Sequence, residues 1–157
     1  MSLDTMSLVV FFLIVTLVAS SGAVFKPGDW YRTLAKPAWT PPDWVFPLGW
    51  ALLYTLIAVS GWRVWERLPL EAAVLPMVVY GLQLALNAAW SAIFFGLKRP
   101  DWAFADVACL WLAILANILV FHQIDPLAAW LLLPYLGWVA FAGALNFAVW
   151  RRNRAGA

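Results

Sequence analysis

The chain has 157 residues, of which 65% are hydrophobic, 17% aromatic and 11% charged, with a net charge of +2. Soluble domains carry roughly 25% charged residues, so this chain has too little charge to cover a soluble globule and too much apolar surface to bury in one. The same arithmetic excludes disorder, and the lone cysteine, Cys109, excludes a disulfide scaffold.

What remains is an all-α integral membrane bundle. A crossing helix needs about 20 mostly apolar residues, and five stretches qualify: 6–25, 45–62, 72–97, 102–122 and 127–150. They make a single five-helix membrane domain over 1–157. The first stretch follows Asp4 with no Lys or Arg before it, and it is longer than the apolar part of a signal peptide. It therefore reads as a retained helix.

The first connection, 26–44, is long and dense in Pro and Trp. It holds Trp30-Tyr31 and then the run from Lys36 to Trp44. Prolines stiffen the backbone and remove donors. Such a loop is either an interfacial anchor or a lid over the bundle.

The second span carries Trp50, Tyr54 and Ile57 at helical spacing. On the third, at 100° per residue, Gln83, Asn87, Trp90 and Phe94 share one face, and Gly81, Ala85, Ala89 and Ala92 lie nearly opposite. Small residues four apart let helices approach closely in lipid. The stripe is thus a contact face, either within the bundle or between two copies of the chain. The amides either bond to neighbouring helices or face a ligand.

The fourth span opens with Trp102, Ala105, Asp106 and Cys109, and the fifth presents Tyr135, Trp138, Ala142 and Leu145, with Asn146 close by. An ionisable group in a span marks function by default, but Asp106 lies near the span's start, where it can equally be solvated or paired with a loop Arg. Cys109 is a pocket wall or plain core, since lone buried thiols are usually inert. Several helices each offering aromatic, small and sparse polar groups suit a mostly apolar pocket with a few placed polar atoms.

Other membrane chemistries fail on residue supply. Lys26, Lys36 and Lys98 all sit at span ends or in loops, so no lysine is available for a retinal Schiff base. One histidine, His122, cannot give bis-histidine haem ligation, and with one Cys it cannot build a zinc cluster. No metal site is expected. The phosphate-binding glycine loop is absent. The positive charge needs no nucleic-acid partner to explain it.

Loop charge sets the orientation. Arg63 and Arg67 stand on one side, against Lys26, Arg32, Lys36, Lys98, Arg99, Arg151, Arg152 and Arg154 on the other. The positive-inside rule then puts the C-terminus and the first loop in the cytoplasm.

Taken together, Trp30-Tyr31, the KPAWTPP run Lys36–Pro42, Trp50 with Tyr54, GLQLALNAAW from Gly81 to Trp90, Phe94-Phe95-Gly96 and PYLGWVAFAGALN from Pro134 to Asn146 resemble the tryptophan-rich sensory protein/translocator protein family, TspO/TSPO. The likeness runs from about Trp30 to Trp150. It implies a five-helix bundle, commonly a dimer, whose cavity is closed by the first loop. It also implies binding of porphyrins such as protoporphyrin IX and of isoquinoline- or benzodiazepine-type ligands, with membrane lipid around the bundle. No cofactor is required, and porphyrin enters as ligand.

Carried over by position, the resemblance assigns the pocket to Ala23, Tyr31, Trp39, Phe46, Gly49, Trp50, Asn87, Trp90, Phe94, Trp102, Ala105, Asp106, Cys109, Trp138, Ala142 and Leu145. The homodimer would form through Gly81, Ala85, Ala89 and Ala92 on the third helix. Some bacterial members are associated with light-dependent porphyrin degradation, for which Trp50 and Trp138 are the matching tryptophans. Animal members carry a cholesterol motif of Leu/Val, Tyr and Arg/Lys at the end of the fifth helix. The stretch Ala144–Arg151 lacks its central Tyr, which favours a bacterial, tetrapyrrole-binding member over a cholesterol transporter. Whether the host membrane is inner or outer stays open.

Overall fold

The computed structural model describes residues 3–154. The outermost positions of the 1–157 domain reading, 1, 2 and 155–157, lie outside the described residues. The helices are α1 (Leu3–Val24), a short α2 (Asp29–Thr33), α3 (Val45–Trp65), α4 (Leu70–Ser91), α5 (Pro100–His122) and α6 (Pro126–Asn153). Among the described residues there is no strand. Five helices are long and apolar enough to cross a membrane: α1, α3, α4 with the turn that follows it, α5 and α6.

The helices run on beyond the apolar stretches that define the spans. α3 reaches Trp65, taking in Arg63, and α6 reaches Asn153, taking in Arg151 and Arg152. Helical hydrogen bonding does not stop at the edge of the hydrocarbon, and flanking cations are at home there.

The five spans close into a ring. α1 packs on α3 and α4, α3 on α6, α6 on α5, and α5 back on α4. The core inside includes Ile57, Tyr80, Ile114, Phe121, Leu132 and Tyr135. The outer sides are apolar as well, with Leu17, Leu52, Leu75, Leu112 and Leu119 exposed. Lipid tails are as apolar as leucine, so neither face of a span needs polar cover.

Several local devices shape the ring. Asp125 caps α6, accepting a hydrogen bond from the Leu127 N–H at 3.1 Å, and Pro126 occupies the first turn, where its missing N–H costs nothing. Pro100 opens α5 in the same way. At the end of α4 the helix widens into one π-helical turn, Ala92–Gly96, closed by Leu97 N–H donating to the Ala92 carbonyl at 2.8 Å. Lys98 follows in the left-handed region at φ 55° and reverses the chain into α5.

At the end away from the long loop, Asp125 joins α6 to α3. Its carboxylate accepts from Arg63 Nε at 2.7 Å and lies 2.9 Å from an Arg67 guanidinium nitrogen. Burial pushes the Asp125 carboxyl up, but the two arginines and the Leu127 N–H outweigh it and hold it below its ordinary value.

Candidate functional site: an aromatic cluster between α3 and α6

Phe46, Trp50 and Tyr54 recur every four residues on α3, with Gly49 three after Phe46, and Tyr135, Trp138 and Phe141 recur every three on α6. Because α3 packs on α6, these stripes meet. Trp50 stacks on Tyr54 with ring centroids 5.2 Å apart and meets Tyr135 and Trp138 edge-on at 6.3 and 6.1 Å. Phe46 meets Trp138 edge-on at 6.1 Å, and Phe141 continues the cluster 6.0 Å beyond. Edge-to-face and offset contacts are the arrangements favoured by ring quadrupoles.

Gly49 makes the close approach possible. A β-carbon there would stand 2.7 Å from Cη2 of Trp138, inside van der Waals contact. The missing side chain lets the indole lie against the backbone of α3.

A second aromatic group forms on the π turn. Trp90 stacks on Phe94 at 5.1 Å, and Phe95 meets Phe94 at 4.9 Å and Trp90 at 5.7 Å. Inserting one residue into the helical repeat rotates Phe94 and Phe95 toward α2, where Trp30 and Tyr31 meet Phe94 at 5.9 and 6.1 Å. Leu145 of α6 is buried in this group.

Two amides tie the clusters together. The Tyr54 hydroxyl donates to Asn87 Oδ1 at 2.8 Å, and Asn87 Nδ2 donates to the Tyr135 hydroxyl at 2.8 Å. One carboxamide thus bridges α3, α4 and α6. One turn along, Trp90 Nε1 donates to Asn146 Oδ1 at 3.0 Å, and Asn146 Nδ2 donates to the Pro100 carbonyl at 2.7 Å. Satisfied polar networks in a low-dielectric interior fix geometry more strictly than apolar packing alone.

The long loop covers the same end of the bundle. Lys36 Nζ sits 4.4 Å over the Tyr31 ring, Pro37 is buried, and Trp39, though 50% exposed, meets Phe141 edge-on at 5.8 Å. Asn153 fastens the loop to the end of α6. Ala35 N–H donates to Asn153 Oδ1 at 3.0 Å, and Asn153 Nδ2 donates to the Ala35 carbonyl at 3.1 Å. Burial, with the Asp43 carboxylate adding to it, raises the Tyr31 hydroxyl above its ordinary pKa.

Of the residues singled out from the sequence, Tyr31, Trp39, Phe46, Gly49, Trp50, Asn87, Trp90, Phe94, Trp138 and Leu145 lie in or against these two linked clusters. Ala142 is half-buried on α6. Ala23, Ala105 and Cys109 are exposed, and Trp102 is 55% exposed beneath the Arg99 guanidinium, 4.4 Å from its ring. Asp106 is half-buried, and its Oδ2 is buried without a hydrogen-bond partner. On the small-residue stripe Gly81 and Ala85 are exposed, whereas Ala89 and Ala92 are half-buried.

Tyr54, Tyr135 and Asn146 join the site through their hydrogen bonds. The helical spacing of Tyr54 with Trp50 and of Tyr135 with Trp138, and the place of Asn146 near that same face of α6, were the available signal. Asn153 carried none, standing in a run of arginines past the last apolar turn. Two open grooves lie elsewhere. One of about 580 Å³ runs between α1, α3 and α4 beside Phe11, Tyr80 and Glu66, and one of about 400 Å³ runs between α5 and α6 beside Phe104, Trp111 and Gly143.

The family model described as TspO/MBR family matches residues 8–151. The chain is 41% identical over 145 residues to Protein CrtK of Rhodobacter capsulatus, covering 92% of this chain and 91% of that one. It is 43% identical over 135 residues to the tryptophan-rich sensory protein of Cereibacter sphaeroides, covering 86% and 84%. It is also 43% identical over 137 residues to the human translocator protein, covering 84% and 81%. With five apolar spans and this likeness along almost its whole length, the chain is a multi-pass integral membrane protein and belongs to the TspO/MBR family.

Proposed function

We propose that this protein is a membrane receptor or carrier for porphyrins of the protoporphyrin IX type, and that isoquinoline- and benzodiazepine-type ligands compete for the same site. The observation that carries the reading is the meeting of Phe46, Trp50 and Trp138 across α3 and α6. Flat indole and phenyl faces suit a flat macrocycle, and apolar walls with a few fixed polar atoms are the usual make-up of a ligand site. Ligand carboxylates would meet Lys36 and Arg32 at the loop end, on the cytoplasmic side by the charge bias. The relatives' names, tryptophan-rich sensory protein and translocator protein, support a sensing or transport role in a membrane.

The test is a titration of the protein in lipid nanodiscs with protoporphyrin IX, using empty nanodiscs as control. Tryptophan emission should fall saturably at micromolar porphyrin. Emission that falls no further than partition into lipid alone would produce sinks the proposal.

The Trp50–Trp138 contact at 6.1 Å favours a second reading, light-dependent porphyrin degradation. Dioxygen would take up the electrons lost by the excited ring and supply the oxygen atoms of the product, with the indoles as one-electron relays restored in each turnover. Illumination under air should then bleach bound porphyrin faster in wild type than in Trp138→Phe, and equal loss would exclude the enzyme.

The exposed Gly81, with no group beyond its own stretch of helix within 4 Å of where its β-carbon would stand, and the exposed Ala85 support a homodimer through α4, joined by Ala89 and Ala92. Mass measurement in nanodiscs should give two chains for wild type and one for Gly81→Leu/Ala85→Leu. An unchanged mass would exclude this face.

A further inference from the structure

We infer that Gln83 of α4 and Asn117 of α5 form a buried hydration site that holds ordered water in the middle of the helix bundle. Both side chains are fully buried, and all four of their polar atoms, Gln83 Oε1 and Nε2 and Asn117 Oδ1 and Nδ2, lack a protein hydrogen-bond partner. No other buried amide in the described spans stands in this condition: those of Asn87 and Asn146 are bonded at both ends.

Helix register brings the two together. One turn away, Tyr80 of α4 stacks on Phe121 of α5 with centroids 6.0 Å apart. The helices are antiparallel, so three residues forward from Tyr80 and four back from Phe121 lead toward the same end of the bundle. At about 1.5 Å per residue the two amides differ in height by only about 1.5 Å. Viewed along that direction, Gln83 is turned about 60° one way from Tyr80 and Asn117 about 40° the other way from Phe121. On facing helices these opposite turns aim both side chains to the same side of the contact.

Water is the ligand that fits. An unmet amide in the interior loses its hydration with nothing in return, and a buried water settles where it finds two to four polar partners. Two carboxamides supply both donors and acceptors. Both residues are closed to solvent, and neither lines either of the two open grooves.

The test uses the full chain in lipid nanodiscs. Solid-state NMR with magnetisation transfer from water should light up the side-chain amide nitrogens of both Gln83 and Asn117. Transfer to neither, or to only one, overturns the bridge. A melting series gives an independent reading. Gln83→Met and Asn117→Leu should each lower the melting temperature, and the double variant should recover most of the loss. Single variants that each raise the melting temperature would mean a dry, unmet pair and overturn the proposal. Coupled variants without water transfer would mean a direct amide–amide bond and overturn it equally.

Discussion

Trp138 lies against the backbone of α3 at Gly49, so near that a β-carbon at Gly49 would stand 2.7 Å from its Cη2. Gly49→Ala should therefore push the indole outward, and Gly49→Val should push it further. Forcing extra volume into a packed site costs about 1–3 kcal/mol. Thermal unfolding in detergent should show a graded loss of melting temperature, with valine worse than alanine. Equal stability for all three would mean that the indole swings aside freely.

Asn87 bonds to both Tyr54 and Tyr135. Asn87→Leu leaves the buried Tyr135 hydroxyl and the half-buried Tyr54 hydroxyl without this partner, at about 1–3 kcal/mol for a buried group left unmet. Adding Tyr135→Phe to Asn87→Leu should cost little more, because the hydroxyl has already lost its donor. A double-mutant cycle measures the coupling, and fully additive effects would refute the bridge.

Much of this was legible in the sequence and some was not, for a physical reason. Apolar stretches, charge-free but for Asp106 in the fourth, defined the five spans, and helical spacing grouped Trp50, Tyr54 and Ile57 on one helix and Tyr135 and Trp138 on another, while Phe46 came only from the family resemblance. But a span that is apolar all round shows no amphipathic stripe. Periodicity could therefore not tell which face of α5 meets lipid, and Trp102, Ala105 and Cys109 turn out exposed. The bond from Asn153 to Ala35 joins residues 118 positions apart and leaves no local signal. The π turn at Ala92–Gly96, which redirects Phe94, breaks the very repeat that spacing arguments assume.

Asn153 holds Ala35 by two hydrogen bonds on an exposed surface. Asn153→Ala should change stability by no more than about 1 kcal/mol, the ordinary net worth of such bonds. It should nonetheless free the loop, so that Trp39 becomes more accessible to an aqueous quencher and ligand enters and leaves faster. Unchanged quenching would mean that Pro37 and the aromatic contacts hold the loop unaided.

Asp125 governs acid sensitivity at the other end. Its folded carboxyl titrates below its unfolded value, so its contribution is present above the unfolded pKa, about 4, and is lost as pH falls through the folded one. Asp125→Asn should lower stability at neutral pH by about 1 kcal/mol, the upper end for pairs in contact with solvent, because both arginines keep that contact. The gap between wild type and variant should close in acid. A gap that stayed constant with pH would show that the charge is not what matters.

The central claim is that porphyrin binds where Trp50 and Trp138 meet. The most direct measurement is a visible-absorption titration of protoporphyrin IX against wild type and the Trp50→Ala/Trp138→Ala variant, both in nanodiscs and both shown to be folded by circular dichroism. Base–aromatic stacking in other systems is worth about 1–3 kcal/mol per ring, so losing both indoles should weaken binding by about tenfold or more. Equal affinity in the two proteins would contradict the account.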